Sequence, residues 1–378
     1  MRIIHVVTLI SPDGAYGGPV RVATNQARAL IAEGHDVTIL AAHRGFDGAP
    51  PVTFDGVPVM LFPARTMVPG IGFGGLSSPG LQRWLRKNIG SIDVLHVHLA
   101  RDFVTLPAAN LARRTKTPFV TQTHGMIMPS HKRLARPLDT IYTQPVLRSA
   151  DTAFFLTDVE RTGLTQVSLG TAKLERLHNG VPLVVVPSFT ESQTTEVLFL
   201  ARLHRRKRPM HFVEMAKALV TRFPEATFTL VGPDEGEGAA VSEAVERSAA
   251  QVTWEGALSP EKTAARISKS AIYVLPSVDE PFPMSVLEAM AAGKPVIVTD
   301  SCGLAPYIVE SQAGLVVDDT LAGLTDAVSA LLSDSELRSR MSANATACIE
   351  STFRMESVVA QLSTAYKKAV SLKESPRP

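Results

Sequence analysis

The stretch Glu280-Pro-Phe-Pro-Met-Ser-Val-Leu-Glu288 places two carboxylates eight residues apart, around a turn that contains two prolines. Apolar residues follow at helical spacing from Val286, so Glu280 is predicted in a loop and Glu288 on a helix. Residues 271–275 before this stretch and residues 295–299 after it have the apolar, β-branched character of buried parallel strands. The sequence therefore predicts a strand, loop, helix and strand unit within an α/β sheet.

The loop of this unit lies at the carboxyl end of its first strand, which is where open α/β sheets bind ligands. The N-terminus of the following helix offers free N–H groups and a partial positive charge, both of which suit an anion. A carboxylate on either side can hold sugar hydroxyls, so the combination indicates a sugar that carries a phosphate. An ordinary helix start preceded by an acidic residue is the alternative that spacing alone leaves open.

Strands and helices alternate through the rest of the 378 residues, which is typical of parallel, doubly wound sheets. This length is enough for two domains, each with its own core. The segment His178-Asn-Gly-Val-Pro182 and the polar run at 187–195 interrupt the alternation. We therefore place the domains at residues 1–180 and 181–352, and we expect the last helix, within 353–378, to return to the first domain.

Composition excludes several classes of protein. No segment reaches the roughly 18 apolar residues of a spanning helix, and the first strand-like residues do not resemble a signal peptide. The two cysteines, Cys302 and Cys348, form neither a disulfide framework nor a metal-ligand pattern. We therefore expect a soluble, cytoplasmic protein with reduced cysteines and no metal site.

Charge is unevenly distributed along the chain. Residues 1–185 hold 19 Lys and Arg against 12 Asp and Glu, whereas the remainder holds 19 against 24. The basic residues of the first half form three clusters, at 83–87, 113–116 and 132–136. This asymmetry favours contact with an anionic surface, although a solvated helix face explains any single cluster. Nucleic acid is not expected as a partner, because no aromatic residues interleave with these charges.

Two features of the first half suit a ligand site. A glycine-rich turn at 13–19, which includes Gly17 and Gly18, opens a helix, and glycines let the backbone approach a phosphate closely. His124 follows a predicted strand, so its side chain faces the edge of the sheet at which ligands bind. His96 and His98 lie inside a strand and are interpreted as structural, because no third metal ligand lies nearby in a suitable pattern.

The second half offers a cluster of cations. Arg202 and the run His204-Arg-Arg-Lys-Arg208 follow directly on a predicted strand, and a proline then opens the next helix. Full charges at a strand end and a helix start suit phosphate oxygens, since they add to the field of the helix terminus. A solvated basic turn is the alternative.

With these motifs in hand, the chain resembles the retaining glycosyltransferases of family 4, which have the GT-B fold. The Glu-x7-Glu signature ahead of Ala-Met-Ala-x-Gly-x-Pro-Val begins at Glu280. A Gly-Arg-Leu turn with a lysine five residues after its arginine is matched by Arg202 and Lys207, although Ala201 replaces the glycine. The longer run Thr123-His-Gly-Met-Ile-Met-Pro129 is similar to a branch that builds exopolysaccharide or O-antigen on lipid-linked acceptors.

The resemblance implies roles for individual residues. Arg202 and Lys207 would hold the donor diphosphate, with Gly17 and Gly18 close to the phosphates. Glu280 and His124 are the candidate catalytic residues, since both would approach the donor sugar. The donor sugar and the ribose would be bound by residues at the start of one helix, namely Phe282, Pro283, Met284, Ser285 and Glu288. Selectivity for the nucleobase would depend on loop shape around Gly232 and Leu258.

The resemblance also implies a fold and a reaction. The fold is α/β, with two Rossmann-like, doubly wound parallel-sheet domains facing a cleft and a C-terminal helix that crosses back to the N-terminal domain. The N-terminal domain would bind the acceptor and the C-terminal domain the nucleotide-sugar donor. The enzyme would be a hexosyltransferase that moves a sugar, with retention, from a nucleoside diphosphate, most readily UDP or GDP, to a glycan or polyprenyl-linked hydroxyl.

Such an enzyme would serve bacterial polysaccharide synthesis without a metal cofactor. Its basic clusters would hold it peripherally on the anionic inner face of the cell membrane. Whether Glu280 is a nucleophile or only positions the sugar stays open at this point. Two alternatives also stay open: another GT-B enzyme, such as a sugar-nucleotide epimerase or a phosphorylase, and a non-catalytic two-domain sugar-binding protein.

Overall fold

The computed structural model describes residues 1–12, 17–130, 135–182, 195–248, 251–259 and 262–374. Part of the glycine-rich turn, Lys132 and Arg133 of the third basic cluster, and residues 187–194 of the polar run lie outside these ranges. The chain divides into two compact units, one comprising Met1–Gly180 with Met355–Pro378 and the other Val181–Arg354. Each unit is built on a parallel sheet, so the predicted α/β class is confirmed.

The strands of the first unit are numbered in chain order. They are β1 (Arg2–Ile10), β2 (Asp36–His43), β3 (Thr53–Phe54), β4 (Val57–Pro63), β5 (Arg65–Thr66), β6 (Leu76–Ser77), β7 (Val94–His98), β8 (Phe119–Gln122), β9 (Thr152–Phe155) and β10 (Leu174–Arg176). Strands β5 and β6 form a separate ribbon, and the main sheet has the order β10-β9-β8-β7-β1-β2-β4-β3. Its pairs are parallel except β3 with β4. The order reverses between β1 and β7, so ligand binding is expected at the carboxyl ends of these two strands.

Helices cover both faces of this sheet. They are α1 (Gly17–Ala32), α2 (Pro79–Asn88), α3 (Thr105–Thr115), α4 (Ala135–Leu138), α5 (Gln144–Ser149) and α6 (Asp158–Val167). Alternate residues of β1 enter opposite cores, because successive side chains of a strand point to opposite faces. Ile4 and Val6 belong to one buried cluster, whereas Ile3 and Val7 belong to the other.

The second unit repeats the same plan. Its elements are β11 (Glu196–Leu200), α7 (Pro209–Leu219), β12 (Thr227–Val231), α8 (Gly238–Glu246), β13 (Val252–Trp254), α9 (Thr263–Ser268), β14 (Ile272–Leu275), α10 (Met284–Ala291), β15 (Val296–Thr299), α11 (Ala305–Ser311), β16 (Gly314–Val317), α12 (Leu321–Ser333) and α13 (Ser335–Thr352). The parallel sheet has the order β13-β12-β11-β14-β15-β16. Its order reverses between β11 and β14, which are the strands that precede Arg202 and Glu280.

The final helix, α14 (Met355–Glu374), belongs to the first unit. Val358, Val359, Leu362 and Tyr366 form its apolar face and are buried in the same core as α1. The predicted start of this helix at residue 353 is two residues early. Phe353 belongs to the second unit, where its ring packs edge-on against Phe282 at a centroid distance of 5.9 Å. Within the described part of the chain, no helix is long and apolar enough to cross a membrane.

Candidate functional site

The carboxyl ends of β11 and β14 bring the predicted cation and carboxylate together. The two strands are parallel neighbours, with Val197 opposite Ile272, so the segments that follow them leave the sheet at one edge. A 3-10 turn at Arg205–Lys207 follows β11, and the loop before α10 follows β14. Residues more than 70 positions apart in the chain therefore meet at this edge.

Lys207 and Glu280 form an ion pair at this edge. The Lys207 Nζ donates to Glu280 Oε2 over 2.7 Å, and Arg206 Nη2 lies 3.5 Å from the same oxygen. Lys207 is 8% exposed and Glu280 9%, so the pair is withdrawn from solvent. Burial lowers the pKa of the Lys207 ammonium, and the Glu280 carboxylate partly opposes that shift. The cation and the carboxylate thus hold each other in place.

Arg202 is held by a carboxylate that the sequence analysis did not single out. Its Nη1 donates to Glu235 at 2.6 Å and 2.5 Å from the two carboxylate oxygens. Glu235 lies in the turn after β12, the strand next to β11, and that position is the sequence signal that points to it. Arg202 and Lys207, the two cations predicted to bind phosphate, are therefore each held in place by an acidic side chain.

The start of α10 is anchored to the strands beneath it. Pro283 is the N-cap residue, and Phe282 and Met284 are buried. The hydroxyl of Tyr273, on β14, lies 2.7 Å from Ser285 Oγ and 2.9 Å from the Leu200 carbonyl oxygen. The backbone N–H groups of the first turn of α10 are therefore fixed relative to the ends of β11 and β14.

Glu288 lies on α10, as predicted from its spacing, and its side chain is half-buried. Gly232 follows β12, and its N–H donates to the Gly256 carbonyl oxygen over 2.7 Å. Leu258 is half-buried in the segment after β13. The two residues assigned to nucleobase selection therefore lie after neighbouring strands of one sheet.

Gly232 is required by a close approach of the backbone. A Cβ at this position would lie 2.0 Å from the Ala201 carbonyl oxygen, and the glycine has a φ of +151°. We expect Gly232→Ala to lower the free energy of unfolding by about 2–3 kcal/mol, since backbone atoms must shift to admit the methyl group. Urea unfolding measures this loss. Gly236→Ala is the matched control, because its φ of +109° also disfavours alanine but a Cβ there meets no atom within 4 Å, so the extra loss in Gly232→Ala reports the clash. Equal stability of wild type and Gly232→Ala would contradict the structure at this point.

In the first unit, the predicted glycines open α1. Gly17 and Gly18 are the first two residues of the helix. A Cβ on Gly18 would meet no atom within 4 Å, so packing within the protein does not require a glycine there.

His124 follows β8 in a left-handed conformation, with a φ of +51°. A buried carboxylate, Glu160, fixes the backbone around it. One oxygen of Glu160 accepts from the Thr123 hydroxyl and the Gly125 N–H, each at 2.5 Å, and the other accepts from the Leu156 N–H at 2.7 Å. Glu160 was not predicted, because its place in the first turn of α6 points to this loop only once β8 and β9 are known to be neighbours.

His96 and His98, inside the first sheet, do have a third histidine nearby. The statement that no third candidate metal ligand lies near them is therefore wrong. His5 on β1 lies directly opposite His96 on β7, and His98 lies two residues further on the same face. All three are buried, and one ring nitrogen from each lies within 4.8 Å of the others. His5 was not predicted as a neighbour, because it lies 91 positions from His96 in the sequence and only the parallel pairing of β1 with β7 brings them together.

Asp102 is a buried carboxyl group beside the carboxyl ends of β1 and β7. It accepts from the N–H groups of Val104 and Thr105, and from the Thr8 hydroxyl at 2.6 Å. Burial raises its pKa from 3.8 to about 6, against the opposing effect of these hydrogen bonds.

This shift sets the sign of a pH dependence. Because the folded protein binds the Asp102 proton more tightly than the unfolded chain, stability is lost as pH rises from about 4 to about 6. Across this window, ionisation of Asp102 should lower the free energy of unfolding of the wild type by about 3 kcal/mol. Asp102→Asn should not show this loss. Urea unfolding of both proteins at several pH values measures the difference. A wild type that gains stability over the Asn variant as pH rises would contradict the assigned shift.

Comparisons with known proteins agree with this arrangement. The family described as "Glycosyl transferase 4-like domain" matches residues 17–180, and that described as "Glycosyl transferases group 1" matches residues 186–347. Glycogen synthase of Mycobacterium tuberculosis is 25% identical, over 100% of this chain and 97% of its own. Phosphatidyl-myo-inositol mannosyltransferase of Mycolicibacterium smegmatis is 25% identical, over 85% of this chain and 83% of its own.

A solved structure extends the likeness to three dimensions. Anabaena HepE in complex with UDP and glucose has a TM-score of 0.75 at 16% identity, and covers 97% of this chain and 99% of its own. This likeness and the two parallel sheets show the GT-B fold. The two family matches and the relatives show that the protein is a glycosyltransferase. The chain belongs to the GT-B glycosyltransferases of the family 4 type.

Proposed function

We propose that the protein transfers a hexosyl group from a nucleoside diphosphate sugar to a hydroxyl of a glycan or polyprenyl-linked acceptor, with retention of anomeric configuration. The observation that carries this proposal is the buried Lys207–Glu280 pair beside the start of α10, 2.7 Å between charged atoms. A cation suits a phosphate and a carboxylate suits sugar hydroxyls, so this pair supports a donor site at the edge where α/β sheets bind ligands.

The donor diphosphate would be held by Arg202 and Lys207, with Gly17 and Gly18 near the phosphates. An ammonium has three N–H donors, and the bond to Glu280 occupies one of them in Lys207. The others suit phosphate oxygens, and the N-terminus of α10 adds a partial positive charge. These fixed charges would stabilise the negative charge that develops on the leaving diphosphate. We therefore expect the reaction to need no metal ion.

Glu280, His124 and the backbone of residues 282–285 would position the donor sugar, and Glu288 the ribose hydroxyls. We propose that Glu280 does not attack the sugar, because its carboxylate is already engaged by a buried ammonium. In that case the leaving phosphate accepts the proton of the acceptor hydroxyl, and the new bond forms on the face that the diphosphate leaves. Gly232 and Leu258 would shape the space for the nucleobase.

A UDP- or GDP-sugar is the proposed donor. HepE, which shares the fold, is described in complex with UDP and glucose. The run from Thr123 to Pro129 supports a lipid-linked acceptor and a place in bacterial polysaccharide synthesis. The cytoplasm, with peripheral attachment to the membrane, is the proposed location.

Peripheral attachment rests on the basic residues of the first unit. Arg83 and Arg114 are exposed on α2 and α3. Flotation with vesicles that contain an anionic phospholipid tests this, and we expect binding at low salt that is lost at high salt. Absence of binding at low salt would exclude the electrostatic contact.

The reaction itself is tested by its products. We would incubate the full-length protein with UDP-, GDP- and ADP-hexoses and a short polyprenyl-linked or oligosaccharide acceptor, then assign the new anomeric centre by NMR. The proposal predicts nucleoside diphosphate release that depends on acceptor, and a product with the donor's configuration. Isomerised sugar without acceptor would indicate an epimerase, and a requirement for inorganic phosphate would indicate a phosphorylase.

A further inference from the structure

Four histidines lie together in the first unit, and hydrogen bonds join three of them to one another. His5 Nδ1 lies 3.0 Å from His98 Nε2, and His98 Nδ1 lies 2.8 Å from His124 Nε2. On the other side of the cluster, His96 Nδ1 lies 2.6 Å from the Tyr366 hydroxyl. His98 therefore uses both ring nitrogens to connect His124, at the sheet edge, to His5 in the core.

Because the imidazoles are neutral, the two hydrogen bonds that join His5, His98 and His124 must run in the same direction. Burial lowers the pKa of His5, His98 and His124, so each ring carries one proton at neutral pH. A neutral imidazole has one N–H donor and one acceptor nitrogen. The two hydrogen bonds can then exist together in only two ways: all three rings protonated on Nδ1, or all three on Nε2.

The surroundings of His5, at the buried end of the hydrogen-bonded histidines, favour one of these two states. Among the described residues, His5 Nε2 and His96 Nε2 are buried without a hydrogen-bond partner. Burial keeps Tyr366 protonated by raising its pKa, so its hydroxyl can donate to His96 Nδ1 and leave the proton of His96 on Nε2. The rings of His5 and His96 are only 4.5 Å apart between centroids. Protonation of His5 on Nε2 would place two unpaired N–H groups in this space, whereas protonation on Nδ1 leaves one donor and one acceptor.

We propose that His98 and His5 are positioning residues that hold the proton of His124 on Nδ1, so that this nitrogen presents an N–H donor to the ligand site. No described residue is a hydrogen-bond partner of His124 Nδ1. A hydroxyl oxygen of the donor sugar is the kind of group that such an N–H binds. The inference rests on the proposed function for the role of His124, but the position of the proton does not.

The same cluster suits a metal ion less well. A metal ligand must direct a free nitrogen lone pair at the ion. Both nitrogens of His98 are engaged by other histidines. A hydrogen-bonded chain accounts for the spacing of these rings better than a three-histidine metal site does.

The tautomer can be observed directly. Ring-nitrogen chemical shifts of protein containing isotope-labelled histidine distinguish protonated from unprotonated nitrogens, and single-histidine variants assign the signals. We expect His5, His98 and His124 of the wild type to be protonated on Nδ1. His98→Phe should give His124 a mixture of tautomers, whereas His98→Asn, whose amide nitrogen replaces Nδ1, should restore the Nδ1–H form. His43→Phe is the control, because His43 is not one of the hydrogen-bonded histidines.

Activity provides a second readout. His98→Phe is expected to lower kcat about tenfold, because one hydrogen bond from His124 to the ligand is lost in part of the molecules. The Kd for free nucleotide should not change. If His98→Phe does not fold, His5→Phe removes the far link without touching His124 and should also mix its tautomers. Protonation of His124 on Nε2 in the wild type, or an unchanged spectrum in a folded variant, would overturn the proposal. So would stoichiometric metal bound by these histidines. Failure of sugar transfer with the predicted tautomer intact would instead count against the proposed function.

Discussion

Lys207→Ala is expected to lower kcat/KM about 1000-fold and to abolish measurable nucleotide binding. The ammonium is the buried cation proposed to contact the diphosphate, and one preorganised donor to a developing anion contributes about 10²–10³ in rate. The substitution also leaves Glu280, which is 9% exposed, without its partner at 2.7 Å. We therefore expect the free energy of unfolding to fall by about 3–5 kcal/mol.

The loss of stability must be separated from the loss of binding. In the double variant Lys207→Met/Glu280→Gln, neither buried group is charged, so most of the stability should return while activity stays lost. The matched surface control is Lys217→Ala on α7, whose ammonium pairs with Glu214 at 3.2 Å and is partly exposed. We expect it to change stability by less than about 1 kcal/mol and activity not at all. If the double variant were as active as Glu280→Gln alone, Lys207 would serve folding and not binding.

Glu280→Gln is expected to lower kcat about 10²-fold while the affinity for free nucleotide changes little. The amide keeps an oxygen that can accept from Lys207, so the site stays assembled. It loses the charge that strengthens hydrogen bonds to the sugar, and a charged hydrogen bond contributes about 1.5–3 kcal/mol. Steady-state kinetics and calorimetry on the same preparation measure the two effects.

The size of this effect also tests the role of Glu280. A positioning carboxylate leaves substantial turnover when it is replaced by an amide. If turnover were abolished at unchanged nucleotide affinity, or if a glycosyl-enzyme adduct accumulated on a variant, Glu280 would be a nucleophile instead. Peptide mass spectrometry after incubation with donor detects such an adduct.

The fold was largely predictable because both units obey local rules. Apolar runs bounded by turn residues identified the long strands, and the apolar face of α14 identified a helix that packs on the first unit. The helical run from Ala135 to Ser149, which a π-helical turn at Asp139–Thr143 interrupts, was missed. The other missed elements are short. Helix α11 has seven residues, too few for a periodic pattern, and the two-residue strands β5 and β6 exist only through their pairing with each other.

The site was predictable only in part. Glu280, Lys207 and His124 each follow a strand, so their places at a sheet edge could be inferred from local sequence. Their partners could not. Glu235 and Glu160 are ordinary acidic residues until the strand order brings them to Arg202 and to the loop around His124. His5 was missed for the same reason, since a parallel register of two strands 90 residues apart is invisible in the sequence.

The most direct test of the central claim is calorimetric titration of the full chain with UDP, GDP, ADP and their hexose conjugates at one fixed ionic strength. The wild type and the Lys207→Met/Glu280→Gln variant are compared after both are shown to be folded. We predict that one nucleotide class binds the wild type with one-to-one stoichiometry, and that the variant does not bind it. Absence of binding to the wild type, or equal binding to both proteins, would contradict the assignment of the donor site to the edge between β11 and β14.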